Sequence, residues 1–364
     1  MKKIISFIMT IGMTLALTAC GGNGGSTTAA AGSTTAAGGT TAAGDSTAAA
    51  SATDFPTKDF QGSIMWSAGG VCDTVSRAIA PYVKDALGGK TIIYTNRAGA
   101  AGGISTQYVH EQPADGYNLL FGAENPQIAK VMGTSELDYS NFIPINIFCT
   151  SIGVVIVSPD SPYQTLEALV DAMKSGTTLN MADTGPGGLP YAAAAMMTSV
   201  NGVTPNRITY DGESACVTAV MGGHADYSIV TMGSCAELTN AGKVKALALM
   251  HNATLETFPD VPAITTVYSD YDKLLPWGPF YGVLVREDTP QDVVDQLTAA
   301  FSEAAGNLEF QKILTDLGCV PCNIHGQEAI DYQDKYRSVS SWLMYDAGAT
   351  EISPDSVGIP RVSE

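Results

Sequence analysis

The sequence predicts an α/β fold built as two similar lobes, and three observations carry that expectation. Strand-like runs alternate with amphipathic helical runs from residue 60 onward, the order that makes βαβ units and a largely parallel sheet. A glycine-rich turn stands between a strand and a helix at Trp66-Ser67-Ala68-Gly69-Gly70-Val71-Cys72-Asp73, and another at Thr184-Gly185-Pro186-Gly187-Gly188. Around the second turn the order of elements begins again, so one plan is used twice.

In the first half the expected elements are strand Ser63–Trp66, helix Asp73–Leu87, strand Lys90–Thr95, helix Gly103–Glu111 and strand Asn118–Gly122. A β-branched run at Gly153–Val157 follows, then an amphipathic helix Thr165–Lys174 with Leu166, Leu169, Val170 and Met173 on one side. The second half repeats the order with strand Thr178–Ala182, helix Tyr191–Asn201, strand Arg207–Tyr210, helix Glu213–Gly222 and strands Tyr227–Val230 and Val244–Leu249. Strand Gly282–Val285 and helices Gln291–Gly306, Leu308–Leu317 and Gly326–Tyr345 then have to rejoin one lobe. The expected division is 54–155 plus 278–350 for the first lobe, 156–277 for the second and a tail over 351–364. Two crossovers then form a hinge, the geometry for closure around a ligand.

The first twenty residues read as an export signal: Lys2 and Lys3, an apolar run from Ile4 to Leu17, and Leu17-Thr18-Ala19-Cys20. Small residues before a cysteine at that distance form a lipoprotein cleavage box, which makes Cys20 the lipidation site; an ordinary signal peptide or a short anchor is the alternative. Residues 21–53 are almost entirely Gly, Ser, Thr and Ala, with nothing apolar enough to offset ordering entropy, so they read as a flexible tether. No later run is long and apolar enough to span a bilayer, which puts the rest outside the cytoplasm.

Charge excludes one class of partner. Loss of Lys2 and Lys3 with the signal takes the formal net charge from −18 to −20, the wrong sign for neutralising nucleic-acid phosphates. Small anions are not excluded, because a glycine turn at a helix N-terminus offers backbone N–H groups and the positive end of the helix dipole.

Catalytic and cofactor motifs fail on their own terms, and no cofactor or metal is expected. His110, His224, His251 and His325 are scattered without metal-ligand spacing, and Ser234 has no identifiable base. Gly89-Lys90-Thr91 ends like a phosphate loop but has Lys84 at its first glycine position; Gly185-Pro186-Gly187 begins like a dinucleotide fingerprint but has Pro190 at the third. Beyond Cys20 six cysteines remain, an even number that an oxidising compartment could pair. Cys319-Val-Pro-Cys322 has thiol-oxidoreductase spacing yet follows a helix instead of opening one; an extracytoplasmic enzyme or redox protein using these thiols is the runner-up reading.

Six segments in order carry a family resemblance: Ala68-Gly69-Gly70-Val71-Cys72-Asp73, Thr95-Asn96-Arg97-Ala98-Gly99-Ala100-Ala101-Gly102-Gly103, Pro113-Ala114-Asp115-Gly116-Tyr117, Gly222-Gly223-His224-Ala225-Asp226, Ala241-Gly242-Lys243-Val244-Lys245-Ala246-Leu247-Ala248 and Phe258-Pro259-Asp260-Val261-Pro262. Over roughly residues 58–345 the chain resembles the extracytoplasmic Bug-type receptors of tripartite tricarboxylate transporters. The resemblance implies a type II periplasmic-binding-protein fold whose lobes close on a small carboxylate and pass it to a membrane permease.

It also implies site residues. The two turns are expected to hold a ligand carboxylate through Ser67, Ala68, Gly69 and Gly70, and through Thr184, Gly185, Gly187 and Gly188. Trp66 takes the place of a flanking aromatic, and Ala123, Glu124, Tyr210, Asp211 and Thr231 complete the expected ligand-binding set. Asp73 matches an aspartate that holds the ligand ammonium in amino-acid-binding members, and reads equally as a helix cap. Tyr210-Asp211-Gly212 departs from the family's Tyr-Lys-Gly, and Asp183 and Glu124 add further negative charge near the cleft, although each alone reads as a solvated loop carboxylate. Like charges a few ångströms apart repel, so an amino acid or another mono- or dicarboxylic acid is expected over a tricarboxylate. Trp277, Phe280 and Tyr281 read either as cleft-mouth or as hinge packing, and Trp342 and Tyr345 as packing.

Overall fold

The computed structural model describes residues 54–210, 212–275 and 277–362. The leader, the tether, Cys20 and Asp211 lie outside them. From the N-terminal side come β1 (Phe60–Ile64), α1 (Val71–Ala78), α2 (Ala80–Val83), β2 (Ile92–Asn96), α3 (Gly103–His110), β3 (Asn118–Gly122) and β4 (Phe142–Ser151). Next are β5 (Gly153–Val157), α4 (Leu166–Lys174), β6 (Asn180–Asp183), α5 (Leu189–Asn201), β7 (Asn206–Thr209), α6 (Glu213–Met221), β8 (Tyr227–Thr231), α7 (Met232–Asn240), β9 (Lys245–Met250) and α8 (Ile264–Val267). The last section holds β10 (Phe280–Arg286), α9 (Gln291–Ala305), α10 (Leu308–Asp316), β11 (Cys319–Ile324) and α11 (Gly326–Asp346).

These strands form two sheets. The first runs β11-β4-β10-β3-β1-β2 and the second β7-β6-β8-β5-β9. In each, three strands are parallel (β1, β2, β3 and β6, β7, β8), and an antiparallel strand, β10 or β5, joins the end of that group. The repeated plan read from the sequence is thus a repeated α/β topology. The chain passes from the first sheet to the second between Ser151 and Gly153 and returns between Met250 and Phe280.

Helices cover both faces of the central strands, which therefore read as unbroken apolar runs. All of β5, Gly-Val-Val-Ile-Val, is buried. Val155 and Val157 belong to one apolar cluster, with Met181, Met196 and Met197, while Val154 and Ile156 belong to another, with Val217 and Val220 of α6. In the first sheet Phe121 and Phe148 meet Phe301 of α9 at ring-centroid distances of 6.2 and 6.1 Å. Helix α11 packs on β4 of the first sheet and on α5 beside the second, so one apolar cluster runs through both. Trp277 stacks on Tyr336 of α11 at 5.9 Å and donates from Nε1 to Ser340 Oγ at 3.0 Å, which makes it packing at the second crossover.

Several expectations need correction. The helix expected over 73–87 starts at Val71 and breaks after Ala78, with Pro81 inside the short α2. The first strand lies earlier, at Phe60–Ile64. Strands β4 and β11 and helix α7 were not anticipated. Pro144 and Asn146 read against a strand, but β4 tolerates them at a bulge: Leu284 pairs with Pro144 and Val283 with Asn146, leaving Ile145 over. The six described cysteines are all free thiols. Among the described residues no helix is long and apolar enough to cross a membrane.

Candidate ligand-binding cavity

Both glycine turns are fixed by an aspartate. Gly69 and Gly185 share φ 82°, in the left-handed region that favours glycine. Gly69 donates its N–H to Asp73 Oδ2 at 2.9 Å, and Gly185 donates to Asp183 Oδ1 at 3.0 Å. Asp73 Oδ1 also accepts from Arg77 Nε at 2.8 Å and Asn96 Nδ2 at 2.9 Å, while Asn96 Nδ2 reaches the Trp66 carbonyl at 2.8 Å. Burial pushes the Asp73 carboxyl upward, but the Gly69 amide, Asn96 and Arg77 outweigh it and hold it below the ordinary Asp value. Asp183 accepts from Thr209 Oγ1 at 2.9 Å and lies 3.8 Å from Arg207 Nε. It is 1 % exposed, a buried turn-former and not a solvated loop carboxylate.

The turns border a cavity of about 280 Å³. Trp66, Ser67, Ala68, Gly70, Val71 and Cys72 line it from the first turn and the start of α1, and Ala123, Glu124 and Asn125 from the end of β3. Thr184 and Leu189 come from the second turn and the start of α5, Gly212, Glu213, Ser214 and Ala215 from the start of α6, Ser234 from the first turn of α7, and Pro279 and Tyr281 from the second crossover and β10. First-turn N–H groups have no intrahelical acceptor, so the starts of α1, α5, α6 and α7 surround the space with partial positive charge.

Two glutamates face this space. Glu124 is 6 % exposed; its Oε1 accepts from Asn125 Nδ2 at 3.2 Å, and its Oε2 has no hydrogen-bond partner among the described residues. Burial pushes Glu124 up to about 8, with its own backbone N–H and Asn125 pulling back and the nearby Glu213 carboxylate adding to the rise. Glu213 Oε2 accepts from Thr231 N at 3.0 Å, Thr231 Oγ1 at 2.5 Å and Ser234 Oγ at 2.6 Å. Burial raises Glu213 also, with those donors pulling back. Among the described residues no lining side chain is Lys, Arg or His. Asn125 spans the sheets, since its Nδ2 also donates to the Gly187 carbonyl.

Of the expected site residues, Trp66, Ser67, Ala68, Gly70, Ala123, Glu124 and Thr184 line the cavity. Asp73, Gly69, Gly185, Gly188 and Tyr210 do not; Gly187 lines a small neighbouring cavity with Ala100 and Ala101. Thr231 is 1 % exposed and reaches the site through Glu213. Glu213 and Ser234, which line the cavity, were not among the expected site residues. A first-turn acid reads as helix-dipole complement in sequence, and the two residues meet across 21 positions. The redox reading finds Cys319 and Cys322 on edge strand β11, with burial pushing the Cys322 thiol up to about 11, the reverse of an activated thiolate.

The family model described as "Tripartite tricarboxylate transporter family receptor" matches residues 75–340. The chain belongs to this family. Among curated relatives of this receptor, the protein BugT of Bordetella pertussis is 24% identical over 285 residues, covering 74% of this chain and 83% of BugT. The periplasmic binding protein BugD has a solved structure with TM-score 0.74 at 23% identity, covering 81% of this chain and 99% of BugD. MatC of Rhodopseudomonas palustris, solved with bound malate, has TM-score 0.72 at 23% identity, covering 80% and 100%. These likenesses make the receptor a two-lobed periplasmic-binding fold, and residues of the segments named above serve that scaffold. Arg97 stacks over Tyr108 at 3.6 Å, Asp115 Oδ1 accepts the Tyr117 N–H at 3.1 Å, and Asp226 Oδ2 accepts the Asn180 N–H at 2.7 Å.

Proposed function

We propose that this receptor captures a small carboxylic acid outside the cytoplasm by closure of its two lobes and delivers it to the membrane permease of a tripartite tricarboxylate-type transporter, with Cys20 as its lipid anchor. The observation that carries the reading is the cavity itself, bordered by residues of both glycine turns and by the starts of four helices, whose first-turn N–H groups favour an anion, with no basic lining side chain among the described residues. A ligand that touches elements of both sheets stabilises the closed arrangement by its preference for it. Malate in the related MatC agrees with a small acid as cargo. The acidic lining disfavours a tricarboxylate, and nothing in the reading calls for catalysis or a cofactor.

Mass spectrometry of compounds released from the purified protein, followed by calorimetry with the compound found, tests this. A small acid returned chemically unchanged and rebound by the stripped protein is the expected result. Preferential binding of citrate over smaller acids overturns the cargo class, and conversion of the bound compound overturns the receptor role.

A further inference from the structure

We propose that Glu124 and Glu213 form a paired-carboxylate subsite for a protonated amine, so that the cargo is a zwitterionic amino acid. This rests on the receptor reading above and names the other end of the same ligand. The sequence offered Asp73 for the amine, but its carboxylate is engaged by Gly69, Asn96 and Arg77 and lies outside the cavity lining. Glu124 and Glu213 do line it, and they arrive from different sheets.

Glu213 is fixed by the Thr231 amide and hydroxyl and the Ser234 hydroxyl, so its position is set before any ligand arrives. Glu124 differs. Its Oε2 is buried and has no partner among the described residues, and a buried carboxyl oxygen left in that state is unfavourable until a donor or cation reaches it. The arginines beside the turns are committed elsewhere, Arg77 to Asp73 and Arg207 to Asp183, and no lining side chain among the described residues is basic.

Three ligand types compare differently here. A dicarboxylate brings a second carboxylate to a lining that, among the described residues, has no basic side chain to receive it. A monocarboxylate with an apolar body leaves Glu124 Oε2 unpaired. An ammonium group has three donors and no acceptor, which suits a lining that carries two carboxyl side chains, Glu124 and Glu213. The ligand's own carboxylate then meets the first-turn N–H groups of α1 and α5.

The test is calorimetry at neutral pH on ligand-stripped full-length receptor, with the twenty amino acids and, for each, the acid that lacks the amine. At least one amino acid is expected to bind tenfold or more tightly than its des-amino partner. Glu124→Gln and Glu213→Gln are each expected to weaken that amino acid at least tenfold while leaving the des-amino acid unchanged or tighter. Equal or tighter binding of the des-amino acid by the unaltered receptor overturns the inference and leaves the receptor reading standing, as does equal weakening of both acids in the variants. No binding by any acid of either kind, or by malate or citrate, overturns both. If a variant fails to fold, the comparison of the two acids on the unaltered receptor decides alone.

Discussion

Gly69 and Gly185 adopt the same backbone angle, φ 82°, and each gives its N–H to a nearby aspartate. The two turns are built alike, although one belongs to the first sheet and the other to the second. Removing either acceptor leaves the glycine amide without its partner and loosens the turn. D73A and D183A are each expected to cost about 1–3 kcal/mol of stability, read from urea denaturation, with D183A nearer the upper end because its site is more fully buried. Wild-type midpoints in both variants would rule out this role.

The hydrogen bond from Asn125 to the Gly187 carbonyl joins loops of the two sheets at the edge of the cavity. N125A is therefore expected to weaken cargo binding by up to about tenfold, the worth of one hydrogen bond. Calorimetry against the cargo recovered from the wild type measures it, and an unchanged Kd removes Asn125 from the closing contact.

Gly187 has φ 92°, and a Cβ there would lie 3.1 Å from the Ala101 Cβ. Valine at this position is strained by on the order of 1–2 kcal/mol from the backbone alone. G187V is expected to retain a cooperative melt but lose binding, because the strain falls where the loops of the two lobes approach. Binding within threefold of wild type speaks against that assignment.

The pH dependence of stability has a definite sign. Glu124 titrates near 8 when folded against 4.5 as a free side chain, so its contribution favours the fold at low pH and is lost as pH rises from about 4.5 through 8. The groups around it, Glu213, Cys72, Tyr139, Tyr281, Tyr332 and Tyr336, include no cation to offset this. Without ligand, E124Q should melt above the wild type at pH 9, by the equivalent of several kcal/mol, and match it near pH 4. A difference that does not change with pH contradicts a buried, ionising Glu124.

Cys319 and Cys322 are expected to behave as packing residues. Their reaction with a disulfide reagent at pH 7.5 should be slow in the folded receptor, and C319S/C322S should bind cargo within twofold of the wild type. Rapid labelling, or a catalysed thiol exchange lost in the double variant, revives the redox reading.

The sequence was most legible where a local motif determines the structure. Both turns, the parallel strands around them and the helices that follow could be read because glycine, apolar periodicity and strand–helix order act over a few residues. Strand β4 was hidden by Pro144, whose place depends on a bulge opposite β10, some 140 residues later in the chain. Asp183 was misread as solvated because its partners Thr209 and Arg207 arrive from the next strand. Glu213 was the most consequential omission, since only the fold brings Thr231 and Ser234 to its carboxylate and Glu124 into the same cavity.

In the proposed reading the cargo's carboxylate is held by main-chain N–H groups, which every amino acid except proline carries alike, so ordinary substitutions that preserve the turns would not erase that hold. The proposed amine contacts are two side chains, Glu124 and Glu213, each open to replacement by a single codon change. On that reading, duplicated copies of such a gene would drift toward new cargoes at positions 124 and 213 while keeping their grip on the acid.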